Sequence, residues 1–228
     1  MIGCLCIHGF TGAPYEVEPL VDYLQQHTDW KFVVPLLPGH GDTLSLKDST
    51  CTDWVDCAEL ALQKLFEECE EVYVIGFSMG GLIAAYLTAR YSISKLVLLS
   101  AAAKYVNPAQ IKEDVREMVQ DLRKKQLHEN ELFLRYREKL IITPPAAARQ
   151  FQKVVRLARP ELKKITVPVF IAQGTEDGIV PVTSAEYIYK RLSSAERHLY
   201  YSPKAKHLIC HTGSKKELFE KVFTFLCK

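Results

Sequence analysis

The sequence predicts an α/β fold, with a mostly parallel sheet of about six or seven strands flanked by helices and one helical insertion. Three observations carry that expectation. Six short β-branched or aliphatic runs, Ile2–Ile7, Lys31–Leu36, Val72–Ile75, Lys95–Leu99, Val167–Ala172 and Arg197–Tyr201, are spread along the chain. Segments with apolar residues at helical spacing separate most of them. One long segment, about 104–164, holds helical patterns and no strand candidate. Strands that are apolar throughout, alternating with helices, suit a parallel sheet covered on both faces.

The first run enters His8-Gly9-Phe10-Thr11-Gly12, and Val17, Leu20, Val21 and Leu24 then mark a helix. The second leads to the loop Leu37-Pro38-Gly39-His40-Gly41-Asp42. One histidine and one aspartate there, with no second cluster at hand, are given a structural role and not a metal-binding one. Trp54, Ala58, Ala61, Leu62 and Leu65 mark the next helix. The third run meets Gly76-Phe77-Ser78-Met79-Gly80, and Gly81-Leu82-Ile83-Ala84-Ala85-Tyr86-Leu87 continues as a helix. A serine at a strand-to-helix join with glycines two residues to either side is the pattern of a nucleophile elbow, whose strained turn holds the hydroxyl clear of the backbone.

The insertion carries Ile111, Val115, Met118, Val119 and Leu122, then Leu132, Phe133, Tyr136 and Leu140, then Phe151, Val154, Val155 and Ala158, with Thr143-Pro144-Pro145 interrupting. It is expected to form a cap over the C-terminal edge of the sheet, where open α/β sheets bind ligands. The cap is an insertion within one domain spanning 1–228. Leu218, Val222 and Leu226 mark a closing helix.

A serine hydroxyl needs a base within hydrogen-bond reach and a carboxylate to orient that base. The expected chain order after an elbow is serine, acid, histidine. The strand Val169–Gln173 runs into Gly174-Thr175-Glu176-Asp177-Gly178. Asp177 is favoured over Glu176 for its shorter side chain and the glycine that follows it. His207 lies in the loop after the last strand, whereas His198 is inside that strand and His211 is nearer the closing helix. His8, His27, His40 and His128 precede Asp177 and stand in the wrong order. Oxyanion donors are expected at the backbone N–H of Met79, just after the serine, and of Phe10, after the first strand. Each such donor is worth roughly 3–4 kcal/mol in a transition state.

Composition narrows the alternatives. The 228 residues suffice for one well-buried domain, and a net charge of +2 offers no nucleic-acid footprint. Basic residues such as Arg123-Lys124-Lys125 lie among acidic ones and read as a solvated helix face. No apolar run approaches the roughly 18 residues of a membrane span, so no stable membrane insertion is expected. Met1–Ile7 lacks a basic n-region and is read as a strand and not as a signal peptide. The seven cysteines are odd in number and lack a C-x-x-C pair, which argues against zinc and disulfides and for a reducing cytoplasm. Cys4, Cys6, Cys69 and Cys227 adjoin apolar segments and are expected to be buried thiols. With no P-loop and no G-x-G-x-x-G after a strand, no nucleotide cofactor is expected.

The residues His8-Gly9-Phe10-Thr11-Gly12, Pro38-Gly39-His40-Gly41, Gly76-Phe77-Ser78-Met79-Gly80-Gly81, Gly174 with Asp177, and His207 resemble the α/β-hydrolase superfamily, in particular its bacterial carboxylesterase and monoacylglycerol-lipase group. The resemblance implies an α/β-hydrolase fold and a carboxylesterase-type serine hydrolase. Ser78 would be nucleophile, His207 base and acid, and Asp177 its orienter. Phe10 and Met79 would supply the oxyanion hole. Leu132, Phe133, Tyr136 and Phe151 would line an apolar acyl pocket for a small-molecule ester, with no metal or other cofactor. Two departures stand out. The chain starts at the strand before His8, so the sheet is expected to hold about six strands. Lys206 occupies the place before the histidine where such enzymes often have glycine.

Overall fold

A computed structural model of the chain describes residues 1–41, 43–104 and 143–228. Among these residues one sheet runs through the molecule, with six strands, all parallel, in the spatial order β2-β1-β3-β4-β5-β6. They are β1 (Ile2–Ile7), β2 (Lys31–Val33), β3 (Glu71–Phe77), β4 (Lys95–Leu99), β5 (Val169–Gly174) and β6 (Arg197–Ser202). The connecting helices are α1 (Glu18–Gln25), α2 (Cys51–Glu68), α3 (Met79–Thr88), α4 (Pro145–Ala158), α5 (Val182–Arg191) and α6 (Lys215–Leu226).

The two-residue period of the strands splits the core in two. Leu5 and Ile7 of β1, Val74 of β3, Leu96 and Leu98 of β4 and Ile171 of β5 face α2, α3, α4 and α5. Cys4, Cys6, Tyr73, Ile75, Val97, Leu99 and Phe170 face the opposite way, toward α1 and α6. Both faces are therefore covered, and a strand such as β5 is buried along its whole length. β2 stops at Val33, short of the expected Leu36. It is an edge strand paired only with β1, its register ends at Leu5↔Val33, and Pro35 beyond it has no N–H to offer a ladder.

Helix α2 starts with a capping box. The Thr50 hydroxyl accepts from the Asp53 N–H at 3.2 Å, and the Asp53 carboxylate accepts from the Thr50 N–H at 2.8 Å. Helix α4 begins at Pro145, the first-turn position where a missing N–H costs nothing. Its Ala147, Val154, Val155 and Ala158 are buried in the same core as α2 and α3. The C-terminal end of the expected cap is thus packed into the body of the domain, and the Gln150 side chain accepts from the Cys51 N–H at 3.2 Å. The rest of the expected cap lies outside the described residues.

All seven cysteines are free thiols. Cys4, Cys6 and Cys69 are buried as expected, but Cys227 is exposed. It caps the C-terminus of α6, beyond the last turn that packs on the sheet. Among the described residues no helix is long and apolar enough to cross a membrane, and no group of three or more His, Cys, Asp or Glu could hold a metal ion. The His40 loop has a packing role. The His40 ring lies 5.3 Å from Trp54 and 5.2 Å from His8, and its Nδ1 is 3.0 Å from the Pro38 carbonyl.

Candidate active site

Strand β3 enters the centre of the sheet and turns abruptly into α3 at Ser78. Ser78 has φ 54° and ψ −115°, a backbone conformation that L-residues avoid, so the turn carries strain at the residue bearing the hydroxyl. The Ser78 N–H donates to Leu99 O at 2.9 Å, and Ser78 O accepts from the N–H groups of Gly81 and Ala102. These bonds fix the turn against the end of β4.

Two glycines make the turn possible. A Cβ on Gly76 would lie 2.3 Å from the Gly80 carbonyl oxygen, and one on Gly80 would lie 2.2 Å from Ile7 O and 2.4 Å from His8 O. All these obstacles are backbone atoms, which cannot swing aside. Gly80→Ala is therefore expected to destabilise the fold by about 3 kcal/mol, an overpacking cost with no side chain able to yield. A urea titration checks this, and an unchanged midpoint would contradict the close approach of α3 to the end of β1.

Asp177 sits just past β5 and His207 in the loop after β6. The structure brings both to Ser78. His207 Nε2 is 3.0 Å from Ser78 Oγ, and His207 Nδ1 is 2.8 Å from Asp177 Oδ2. The His207 and Asp177 side chains are wholly buried, and Ser78 is 4% exposed. The carboxylate can only accept, so Nδ1 carries the proton and the Nε2 lone pair faces the serine hydroxyl. The Phe77 ring lies 5.0 Å from the imidazole.

The Asp177 carboxylate is held from all sides. Oδ1 accepts from the N–H groups of Ile179 at 2.9 Å and Val180 at 2.8 Å. Oδ2 accepts from His207 and, at 2.9 Å, from the side-chain amide of Gln173. Burial by itself pushes this carboxyl group up. The charge and hydrogen bond of His207, with the backbone donors of Val180 and Ile179, outweigh that and hold it below the usual carboxylate value. Glu176, its rival in the sequence, is exposed.

The two N–H groups expected to serve an oxyanion have no acceptor among the described residues. Met79 is the first residue of α3, where a helix leaves its N–H groups unsatisfied and favours negative charge. Phe10 lies in the loop after β1. That loop is pinned by Glu16, a buried carboxylate that accepts the Gly9 N–H at 2.7 Å, and by the turn bond from Gly12 N–H to Gly9 O at 3.3 Å. Thr11 takes φ 63° within it.

Of the expected pocket residues, Leu132, Phe133 and Tyr136 lie outside the described residues. Phe151 on α4 stacks on Phe10, with ring centroids 5.4 Å apart and planes 19° apart, which places it beside the Phe10 loop. Lys206 is exposed, whereas the imidazole of the residue after it is buried. Neither Glu16 nor Gln173 belongs to a sequence motif. A glutamine inside an apolar strand, one residue before the glycine that ends it, was the available signal.

A parallel sheet wrapped by helices, with a strained serine at the central strand-to-helix turn, defines an α/β-hydrolase. The family model described as "Serine aminopeptidase, S33" matches residues 3–212. The chain belongs to this family of hydrolases. It is 26% identical over 236 residues to the thermostable monoacylglycerol lipase of Bacillus sp. (strain H-257), covering 100% of this chain and 91% of the relative. It is 23% identical to the carboxylesterase of Bacillus subtilis (strain 168), covering 98% and 92%. A solved structure of the metagenome-derived lipolytic enzymes LipS and LipT superimposes with a TM-score of 0.80 at 22% identity, covering 99% of this chain and 93% of that one.

Proposed function

We propose that the protein is a serine esterase acting on small carboxylic esters, with short- to medium-chain acyl esters or monoacylglycerols as the substrate class. The observation that carries this reading is the buried relay from Asp177 through His207 to Ser78, at 2.8 and 3.0 Å. The names of the two Bacillus relatives, a monoacylglycerol lipase and a carboxylesterase, support the ester substrate. A cytoplasmic site of action belongs to the same proposal and is supported by seven free thiols.

In this mechanism Ser78 Oγ attacks the acyl carbon while His207 Nε2 takes the hydroxyl proton. Asp177 keeps the imidazole in the required tautomer and stabilises the imidazolium that forms. The tetrahedral oxyanion is met by the N–H groups of Phe10 and Met79, already fixed before the substrate arrives. As the carbon–oxygen bond breaks, His207 hands its proton to the leaving alkoxide. Water then attacks the acyl-enzyme with His207 again as base, and Ser78 recovers its proton. Phe151, stacked on Phe10, borders the acyl pocket in this reading. Every proton is moved by the protein's own groups, so no cofactor enters.

A substrate panel tests the reading. It holds p-nitrophenyl esters of graded chain length, monoacylglycerols, the matching thioesters, and aminoacyl p-nitroanilides for the activity in the family's description. The expected result is the highest kcat/KM on oxygen esters of short to medium chain. Preference for thioesters or anilides would move the assignment to a thioesterase or an aminopeptidase. A folded protein inert to the whole panel would favour a ligand-binding role for the fold.

A further inference from the structure

The three groups of the relay do not account for how Asp177 is held. Its Oδ2 has a second partner, the side-chain amide nitrogen of Gln173 at 2.9 Å, and the same nitrogen is 3.0 Å from the Val180 carbonyl oxygen. Gln173 is fully buried at the end of β5, between β4 and β6. The orientation of its amide follows from chemistry. A flipped amide would set its oxygen against a carboxylate oxygen and a carbonyl oxygen, with no donor between them. Both N–H protons are therefore used, one on Asp177 and one on Val180. The other end of the amide is left short: Gln173 Oε1 is buried with no hydrogen-bond partner among the described residues. A buried amide that leaves its own acceptor unmatched in order to hold a carboxylate calls for a functional explanation.

From this geometry we infer that Gln173 is a positioning residue for the hydrolytic reaction. It clamps the 177–180 turn and fixes the face of the Asp177 carboxylate that His207 uses. This rests on the proposed role of the relay. Backbone N–H groups hold Oδ1 from one side and Gln173 holds Oδ2 from the other, so the carboxylate cannot rotate away from the imidazole. Gln173 is also a neutral donor where a charged group would change the field at His207. Among the described residues, the two loops that carry the pair hold few other charged groups. From the loop after β5 come Asp177 itself and the exposed Glu176, and from the loop after β6 the exposed Lys204 and Lys206. Phe77 and Ser78, from β3 and the turn into α3, carry no charge. A carboxyl group at 173 would face Asp177 Oδ2 directly.

The test uses Gln173→Met, which keeps the volume but has no donor, and Gln173→Glu, which keeps the shape and has a donor only while its carboxyl group is protonated. Ser78→Ala is run in parallel, and folding of each variant is checked by circular dichroism. Gln173→Met is expected to lower kcat about tenfold with KM within about twofold, because a loosened Asp177 costs transition-state stabilisation and not substrate binding. In Gln173→Glu the new carboxyl group, buried against the Asp177 carboxylate, holds its proton at low pH and can still donate to Oδ2. kcat is expected to stay within about twofold of the parent at the acidic end and to fall about tenfold as the pH is raised and that donor is lost. If Ser78→Ala keeps activity, the underlying relay is wrong and the inference falls with it. If Ser78→Ala is inactive while a folded Gln173→Met keeps its kcat, or a folded Gln173→Glu keeps its kcat at alkaline pH, the inference alone is overturned.

Discussion

Ser78→Ala is expected to lower kcat on the preferred ester by about 10⁶-fold while leaving the protein folded, the size of loss seen when a serine hydrolase loses its nucleophile outright. The direction follows from position. The elbow holds Ser78 Oγ against His207 Nε2, and the backbone strain at φ 54° goes into holding it there. Alanine keeps that backbone and loses a single hydrogen bond worth about 1 kcal/mol, so the melting temperature should barely move. A residue of about 10³–10⁴-fold acceleration over water is expected to survive, because the N–H groups of Phe10 and Met79 remain in place. Steady-state kinetics checks the loss. A fall of only tenfold would mean that another group carries the acyl transfer.

Asp177→Asn should cost about 10⁴-fold in kcat, more than its size suggests. The reason is local. The amide oxygen introduced by this substitution would be drawn to the N–H groups of Ile179 and Val180, which donate to Oδ1 in the parent at 2.9 and 2.8 Å. The new NH₂ group would then face His207 Nδ1 and the Gln173 amide, two groups that need an acceptor. His207 would have to accept at Nδ1 and carry its proton on Nε2, pointing it at the hydroxyl it should deprotonate. Asp177→Ala, which imposes no wrong tautomer, separates this effect from simple loss of charge. If Asp177→Asn retained more than about a tenth of the parent kcat, the tautomer argument would fail.

Much of the arrangement could be read from the chain because each of its signals is local. The elbow is set by Gly76 and Gly80 around Ser78, and the order serine, acid, histidine follows from which strand precedes each loop. The six apolar runs are the six strands. What escaped depends on contacts distant in sequence. β2 ends early: it pairs only with β1, and that register stops at Leu5↔Val33 although β1 runs on to Ile7. Helix α5 buries Ser184, Ala185 and Ile188 and leaves its other residues partly or fully open to solvent, so its apolar pattern was too thin to stand out. Glu16 looks like any surface acid until the Phe10 loop folds over it. Gln173 reads as one polar residue in an apolar strand, and only the return of the chain at 177–180 gives its two N–H groups their acceptors.

The central claim is that Ser78 is the nucleophile and that His207 activates it. Labelling with a fluorophosphonate, followed by mass spectrometry of the intact protein and of its peptides, tests this most directly. One adduct per chain on the peptide carrying Ser78 is expected. It should vanish in Ser78→Ala and form far more slowly in His207→Ala. A folded, ester-hydrolysing protein that labels on another residue, or on none, would contradict the account.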